Sequence, residues 1–209
     1  MKNKFSSQIR LFLIVTFLVT SNLSIAQNAD INTLRTLNLG RNKDLDPTFK
    51  FVSNTSAGIS VATPLLIYGI GLIKKDSSLK QNGIFIGKTL LVSAFVTTAL
   101  KKVIKRQRPF ITYPDIEKED TAESYAMPSG HTANAFATAT SLSMAYPKWY
   151  VIAPAFAWAG TVGYSRLHLG VHYPSDVFAG ALIGAGSAYV TFKVNKWIHK
   201  KWCSKNDKK

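Results

Sequence analysis

Apolar residues along the chain are concentrated in five segments separated by short polar stretches. The first carries no charged residue over 18 positions, and the second carries only Lys88. The third is rich in small residues, the fourth contains Pro154, and the fifth is rich in Gly and Ala. None alternates apolar and polar positions as a half-buried strand does. The pattern therefore predicts an all-α fold with helices over residues 56–73, 83–100, 132–146, 149–164 and 176–197.

These five segments are close in length to a membrane-spanning helix, which needs about 20 residues. Gly180 and Gly184 are four residues apart in the last segment, a spacing of small residues that lets two helices approach closely. We therefore predict a membrane-embedded bundle of five to six helices over residues 56–198. The alternative is a soluble bundle, because each segment alone also fits a buried helix.

The two ends of the chain differ from the predicted bundle. Residues 1–26 combine a basic start, a ten-residue apolar core over 11–20 and small residues before Gln27. These features predict an export signal or an uncleaved first membrane helix, and both place the next residue outside the cytoplasm. Residues 27–55 predict an amphipathic periplasmic segment, lying on the bilayer or covering a core. Residues 199–209 predict a basic cytoplasmic tail.

The charge balance narrows the range of partners. The chain has 26 Lys and Arg against 11 Asp and Glu, a formal net charge of +15. Such an excess favours anionic partners such as acidic lipids or phosphorylated substrates. Nucleic acid is disfavoured, because the basic residues lie at the ends of apolar segments and no nucleic-acid-binding motif is present. The single cysteine, Cys203, excludes an intramolecular disulfide and a metal site built from cysteines.

Alternating the predicted helices across a membrane gives an orientation. If the N-terminal segment runs outward, fourteen Lys and Arg fall on the cytoplasmic side and eleven on the outer side. This small bias agrees with the positive-inside rule. The same alternation places all three candidate motifs described below on the outer side. We therefore predict an inner-membrane protein with its site facing the periplasm.

The most informative motif runs from Ser165 to Asp176. Arg166 lies six residues before His172, and Asp176 lies four residues after it. Pro174 interrupts the chain between them, so we expect a turn leading into the last helix. A carboxylate that accepts a hydrogen bond from one ring nitrogen of His172 leaves the other nitrogen unprotonated and nucleophilic. His168, with no partner evident from the sequence, is predicted to be structural.

Two further motifs supply cations and a second histidine. Lys101 and Arg108 are seven residues apart, so a continuous helix would place both on one face, and Pro109 would end it. We expect Lys102, Lys105 and Arg106 to be a solvated helix end. In the second motif, Ser129, Gly130 and His131 precede an apolar helix. A hydroxyl, a glycine and the unpaired N–H groups of a helix start are suited to binding an anion.

Together the patterns Lys101-x6-Arg108-Pro109, Pro128-Ser129-Gly130-His131 and Ser165-Arg166-x5-His172-x3-Asp176 resemble a known signature. It is that of the type-2 phosphatidic acid phosphatase and vanadium haloperoxidase superfamily, and all three parts match in the family's order. The resemblance implies a lipid phosphatase with its site at the outer membrane surface. It also implies the soluble acid phosphatases and haloperoxidases of the superfamily as alternatives. A protein that binds anionic lipid without catalysis leaves the two histidines and the aspartate unexplained.

The resemblance also implies a role for each residue. His172 attacks phosphorus and forms a phosphohistidine, Asp176 orients His172, and His131 protonates the leaving oxygen and then activates water. The equatorial phosphate oxygens would be bound by Lys101, Arg108, Ser129, Gly130 and Arg166. The expected substrate is a lipid phosphate or diphosphate, and no metal or other cofactor is expected. Between the first two motifs, five acidic residues over 115–123 predict a solvated loop, or alternatively a lid over the cationic site.

Overall fold

The computed structural model describes the backbone of residues 28–206 and the side chains of residues 28–198. The predicted export signal over 1–26 lies outside this part of the chain, as do the side chains of the predicted basic tail over 199–209. The described residues form helices and no strand, which confirms the all-α prediction. The helices are α1 (28–39), α2 (Asp46–Ile73), α3 (Ser77–Ile104), α4 (Pro109–Thr112), α5 (Gly130–Ala145), α6 (Trp149–His168) and α7 (Pro174–Asn206), with a 3₁₀ helix (Lys43–Leu45) before α2.

Each predicted apolar segment lies within one helix, except that Tyr146 lies just beyond the end of α5. Several helices extend beyond the apolar residues. The helix predicted from residue 56 begins at Asp46, where Pro47 occupies the first turn and fits a helix start. The predicted boundary between residues 55 and 56 therefore falls inside α2. Asp76 starts α3, because its side chain accepts hydrogen bonds from the Ser78 and Leu79 amides at 2.7 and 3.1 Å.

Helix α5 lies at the centre of the bundle and contacts α2, α3, α6 and α7. Its buried positions are small residues, including Ala133, Ala135 and Ala137, so neighbouring helices can approach it closely. The closest approach is at Gly184 of α7, where an added Cβ would lie 2.3 Å from the Ala133 carbonyl oxygen. The predicted small-residue spacing in the last segment thus packs α7 against α5.

Apolar side chains cover much of the outer surface. Leu65, Leu91 and Phe95 are 65, 73 and 75% exposed, which is unusual for large apolar residues in water. Three helical stretches are long and apolar enough to cross a membrane: Lys43–Ile73, Ser77–Thr112 and Pro174–Ile198. A membrane provides the surroundings that such a surface needs.

Helix α1 packs at one end of the bundle. Ile31 and Leu34 are buried against Ile116 and Tyr173, which lie in the segments before α5 and α7. The opposite side of α1 is polar and exposed. Of the two interpretations of residues 27–55, the contacts of α1 fit a helix that covers a core.

Candidate active site

All three motifs meet at the end of the bundle that α1 covers. The C-termini of α3 and α6 and the N-termini of α5 and α7 carry them. A cavity of about 460 Å³ opens there. Of the predicted site residues, six line this cavity: Lys101, Arg108, Gly130, His131, Arg166 and His172. The other two, Ser129 and Asp176, are fully buried behind it.

The first motif reaches the cavity differently from the prediction. Helix α3 ends at Ile104, and Lys105 adopts a left-handed conformation with φ of 51°. Arg108 is extended because the following proline disfavours the helical conformation. The prediction that Lys101 and Arg108 share one face of a continuous helix is therefore wrong. Lys101 lies in the last turn of α3, and the chain turns back to bring Arg108 beside it.

Arg108 is held by backbone carbonyl groups, not by an acid. Its Nε donates to the Ser124 carbonyl oxygen at 2.8 Å, and its Nη1 donates to the Val171 carbonyl oxygen at 2.7 Å. The same Nη1 lies 3.0 Å from Nε2 of His172. Lys101 also bonds a carbonyl oxygen, that of Tyr125. Both cations keep their charge available to an anion in the cavity.

The second motif starts α5 at the cavity. Gly130 and His131 start the helix and line the cavity, so the N-terminus of α5 lies beside it. Ser129 precedes the helix, but its hydroxyl is buried and accepts a hydrogen bond from Thr132 Oγ1 at 2.9 Å. The Ser129 amide donates to the Asp176 carbonyl oxygen at 3.0 Å. In this structure, Ser129 therefore joins the second motif to the third and does not line the cavity.

The third motif supplies a histidine whose two ring nitrogens face different partners. Nδ1 of His172 lies 3.4 Å from Oδ2 of Asp176, and Nε2 faces Arg108 and the cavity. Asp176 lies in the first turn of α7, after the predicted turn at Pro174. An Nδ1–H that donates to Asp176 leaves the lone pair on Nε2. The nitrogen directed towards the cavity is therefore the nucleophilic one.

The electrostatic surroundings keep His172 neutral. Burial lowers its pKa well below the usual value, and the positive charges of Arg108 and Arg166 lower it further. A neutral imidazole is the form that has a free lone pair. The cations that surround the cavity therefore also favour the nucleophilic state of His172.

Arg166 has an acidic partner that the sequence did not identify. Its Nη1 donates to Oδ2 of Asp120 at 2.5 Å, and both side chains are almost fully buried. Burial alone would raise the pKa of Asp120, but the hydrogen bond and the charge of Arg166 outweigh it and hold this pKa below the usual value. Arg166 also contacts Ser53 of α2. In the sequence, the only indication of a role for Asp120 was its place in the acidic segment.

Arg106 is the clearest site residue that the sequence analysis missed. We predicted a solvated side chain, yet its Nη1 donates to Oδ1 of Asp176 at 2.7 Å. Its Nη2 donates to Oδ2 of Asp30 at 2.6 Å, and the guanidinium lies 3.8 Å from the Tyr173 ring centroid. The left-handed turn at Lys105 directs Arg106 inward. Nothing in the sequence distinguishes Arg106 from Lys102 and Lys105.

The structure also shows the surroundings of His168. His168 has a partner after all, because its Nε2 lies 2.8 Å from Oδ1 of Asp46 at the start of α2. Its ring also packs against Phe49, with ring centroids 4.3 Å apart. These contacts fit the structural role predicted for His168. Among the residues that the structure describes, no group of three or more His, Cys, Asp or Glu is placed to hold a metal ion.

The acidic segment (residues 115–123) is held in place by ion pairs. Asp115 pairs with Arg35, Glu117 with Arg41 and Lys43, and Glu119 with Arg41. Gly170, with φ of 69°, lets the Glu117 carbonyl group come within 2.1 Å of where a Cβ would be. Glu123 lines the cavity. Four of the five acidic side chains remain partly exposed, as a solvated loop requires, and Asp120 is the buried exception. The solvated loop and the lid both stay predictions.

The helical bundle and the three converging motifs define a class of protein. The family model of the PAP2 superfamily matches residues 82–200, more than half of the chain. The chain therefore belongs to the PAP2 superfamily, as the resemblance predicted. Among its relatives is the undecaprenyl-diphosphatase of Sulfolobus acidocaldarius, which is 34% identical over 114 residues. The match covers 52% of this chain and 55% of that relative.

Solved structures agree with this assignment. The crystal structure of Aquifex aeolicus LpxE matches with a TM-score of 0.67 and 31% identity, covering 79% of this chain and 95% of that one. A transmembrane PAP2 type phosphatidylglycerolphosphate phosphatase from Bacillus subtilis matches with a TM-score of 0.70 and covers 90% of this chain and 96% of that one. At 24% identity the second match shows the fold alone.

The comparisons favour one of the alternatives left open by the sequence. The three helices long and apolar enough to cross a membrane, with their exposed apolar side chains, support the membrane-embedded bundle over a soluble one. The chain spans about half the length of the curated relatives it matches. What those relatives act on therefore bears on this chain only as a proposal.

Proposed function

We propose that this protein hydrolyses a lipid phosphate or diphosphate at the outer surface of the inner membrane, through a phosphohistidine on His172. One observation carries the proposal. Three cations, Lys101, Arg108 and Arg166, line the same cavity as two histidines. Such an arrangement can bind a phosphate, stabilise the charge on its equatorial oxygens and supply both the nucleophile and the acid.

The first chemical step transfers the phosphoryl group to His172. The Nε2 lone pair forms a bond to phosphorus while the bond between phosphorus and the leaving oxygen breaks. An incoming phosphate oxygen would accept the Arg108 hydrogen bond that Nε2 accepts in this structure, which frees the lone pair. His131 gives its proton to the leaving oxygen. Burial and the charges of Arg166 and Arg108 lower the pKa of His131 to about 4, and the negative charge of a bound phosphate would offset these cations and favour the protonated ring. The Nδ1–H of His172 donates to Asp176, whose carboxylate stabilises the positive charge that develops on the ring.

The second step releases inorganic phosphate. His131, now neutral, takes a proton from a water molecule whose oxygen attacks phosphorus. The bond between Nε2 and phosphorus breaks, and its electron pair returns to His172. The side chains of the cavity supply the cationic charge for both steps, so we propose that no metal is required.

A lipid substrate is supported by the surroundings of the cavity. A second cavity, of about 540 Å³, shares Lys101 and Arg108 with the first and extends to Thr98 of α3 and Ile111 of α4. Phe95 and Val103 of α3 are 75 and 78% exposed on the apolar surface of the bundle. A lipid phosphate could place its headgroup among the cations while its chains stay in the bilayer. The names of the relatives, a diphosphatase of a polyprenyl lipid among them, support the same substrate class.

The proposed periplasmic orientation rests on the direction of the helices. Helices α2, α5 and α7 have their N-termini at the site, and α3 and α6 have their C-termini there. If the chain leaves the cytoplasm before α2, this end lies outside. Lys74, Lys75 and Lys148 then lie in cytoplasmic turns, as the positive-inside rule requires.

A substrate panel tests the proposal. The purified protein in detergent would be assayed for inorganic phosphate released from phosphatidate, phosphatidylglycerol phosphate, undecaprenyl diphosphate and lipid A, with p-nitrophenyl phosphate as the soluble ester and EDTA in parallel. We expect at least one lipid to be hydrolysed faster than the soluble ester, with EDTA having no effect. No phosphate release from any of them would contradict the proposal. Peroxide-dependent bromination with added vanadate would instead favour the haloperoxidase branch.

The acid limb of the pH profile provides a separate prediction. Only neutral His172 can attack, and burial beside Arg108 and Arg166 lowers its pKa. The value of kcat/KM, which reports the free enzyme, should therefore stay high as the pH falls below 6.5, the usual value for histidine. Measuring kcat/KM from pH 4 to 9 checks this. An acid limb centred at or above pH 6.5 would mean that His172 is not held neutral as described.

A further inference from the structure

Asp30 of α1 lies outside the three motifs and outside residues 82–200, which the family model matches. It is nevertheless 8% exposed and is part of the site. Its Oδ1 accepts a hydrogen bond from the Ser175 amide at 2.8 Å, and the Ser175 hydroxyl bonds its Oδ2. Oδ2 also accepts from Arg106 at 2.6 Å. All of these hydrogen bonds join Asp30 to Ser175 or Arg106, and both of these residues lie beside Asp176.

Arg106 connects the two carboxylates. Its Nη2 contacts Asp30, and its Nη1 donates to both Ser175 Oγ at 2.6 Å and Asp176 Oδ1 at 2.7 Å. The Tyr173 ring covers the guanidinium at 3.8 Å. We call Asp30, Arg106, Ser175 and Asp176 the Arg106 network. It lies behind His172, on the side away from the cavity, and none of its members lines the cavity.

The network determines how Asp176 presents its carboxylate. Oδ1 is occupied by Arg106, while Oδ2 accepts from the Tyr173 amide at 3.0 Å and faces Nδ1 of His172. Asp176 is fully buried, and a buried carboxylate without a counter-charge favours its neutral, protonated form. A protonated Asp176 is a poorer acceptor for the His172 Nδ1–H. Arg106 therefore favours the ionised form of Asp176 and fixes its rotation.

Asp30 also changes the net charge of the Arg106 network. One guanidinium is shared by two carboxylates, so Arg106 does not neutralise Asp176 completely. The network retains one net negative charge beside a ring that becomes positive when Nε2 bonds phosphorus. This negative charge favours the phosphorylated ring electrostatically, in a site where charges are poorly screened by water.

We propose that Asp30 and Arg106 are positioning residues: Arg106 favours the ionised form of Asp176, Asp30 orients Arg106, and together they set the rate at which His172 is phosphorylated. This inference rests on the proposed function, because it concerns a step of that reaction. It makes α1 a part of the active site and not only a cover over the bundle. Neither residue touches the reacting phosphate.

If Asp30 and Arg106 had only a structural role, substituting either residue would give a different result. If Asp30 only anchored α1, its loss would reduce the fraction of folded protein without changing the chemistry of the folded molecules. Rapid-quench measurements of the first turnover, with saturating substrate in excess over enzyme, separate the two cases. The rate constant for phosphoenzyme formation does not depend on the fraction of active protein, whereas the amplitude does.

The experiment compares Asp30→Asn and Arg106→Lys with the unmodified chain, using the best substrate from the panel in detergent. Loss of a hydrogen-bonded partner that orients a metal ligand typically costs about 10- to 100-fold in activity, and we expect an effect of similar size for partners that orient a nucleophile. We expect both variants to lower the phosphorylation rate constant and kcat by about this factor, with KM changed less than about threefold because the cavity cations are intact. Asp30→Glu should restore part of the rate constant.

The matched control is Arg35→Gln. Arg35 also ties α1 to the rest of the chain, through its exposed ion pair with Asp115, but it makes no contact with the Arg106 network. Its rate constant should equal that of the unmodified chain. Rate constants unchanged in Asp30→Asn and Arg106→Lys, with lower amplitudes only, would overturn the inference. If the unmodified chain hydrolysed no phosphate at all, the proposed function itself would fail.

Discussion

Replacing His172 by alanine is expected to reduce phosphate release by at least about 10³-fold, because the variant lacks the atom that attacks phosphorus. The cations of the cavity remain, so the variant should still bind substrate. Phosphate release from the best lipid substrate, measured at saturating concentration, checks the loss. Binding of the same lipid, measured by equilibrium methods in detergent, should change little.

A covalent intermediate gives this prediction a second, qualitative readout. The unmodified chain, quenched during turnover of a ³²P-labelled substrate, should retain label that is stable to alkali and lost in acid, as a phosphorus–nitrogen bond is. The His172→Ala variant should retain none. His168→Gln is the matched control, because His168 contacts Asp46 and Phe49 and not the cavity. That variant should be labelled with an unchanged rate constant, even if it is less stable.

Two outcomes would contradict the assigned role. An alanine variant with undiminished phosphate release would mean that another group, or water directly, attacks phosphorus. Labelling that survives in His172→Ala would place the covalent bond on a different residue, with His131 the first candidate because it also lines the cavity.

Six of the ten residues that line the cavity are among those predicted from the sequence, because each motif is short and lies at a helix end. Gly130 and His131 start a helix, Arg166 and His172 flank a turn, and the alternation of helices brings these ends together. This convergence follows when the number and order of the helices are predicted correctly. Residues near helix ends can therefore be assigned to one site even when the exact first and last residues of the helices are not predicted.

The partners of those residues were not predictable in the same way. Arg106 was assigned to solvent because the prediction continued α3 as a regular helix, and a single left-handed residue, Lys105, reverses its direction. Asp30 is 76 positions from Arg106 in the sequence, and nothing local indicates that α1 folds over this end. The pairing of Asp120 with Arg166 depends likewise on the path of an irregular segment.

The ion pairs of the acidic segment are another set of contacts that the sequence did not predict. Five acidic residues in an irregular stretch usually indicate a solvated loop, since charge is best hydrated by water. Here Arg35 and Arg41, both at the N-terminal end of the described chain, supply partners for three of them. Charge composition alone cannot reveal which oppositely charged segment lies nearby. The ion pairs of this segment are thus set by tertiary packing.

The second large effect is expected from Gly184→Ala in the interface between α5 and α7. A Cβ at this position would lie 2.3 Å from the Ala133 carbonyl oxygen and 2.7 Å from the Ala137 amide nitrogen. Both are backbone atoms within a central helix, so the clash is relieved only by moving one helix away from the other. Overpacking of this kind typically costs about 1–3 kcal/mol. We expect a lower midpoint of thermal unfolding in detergent.

The same displacement should reach the chemistry, because α5 carries His131 and α7 carries Asp176. A misplacement of about 1 Å can cost about 10²-fold in rate, so kcat should fall by a factor of this order even in the folded fraction. Gly186→Ala is the matched control, since a Cβ there meets nothing within 4 Å and alanine favours the helix more than glycine does. It should unfold no earlier than the unmodified chain and keep its kcat. Equal unfolding midpoints and equal kcat values for the two variants would mean that α5 and α7 are not packed as closely as described, and that the separation of His131 and Asp176 is not set at Gly184.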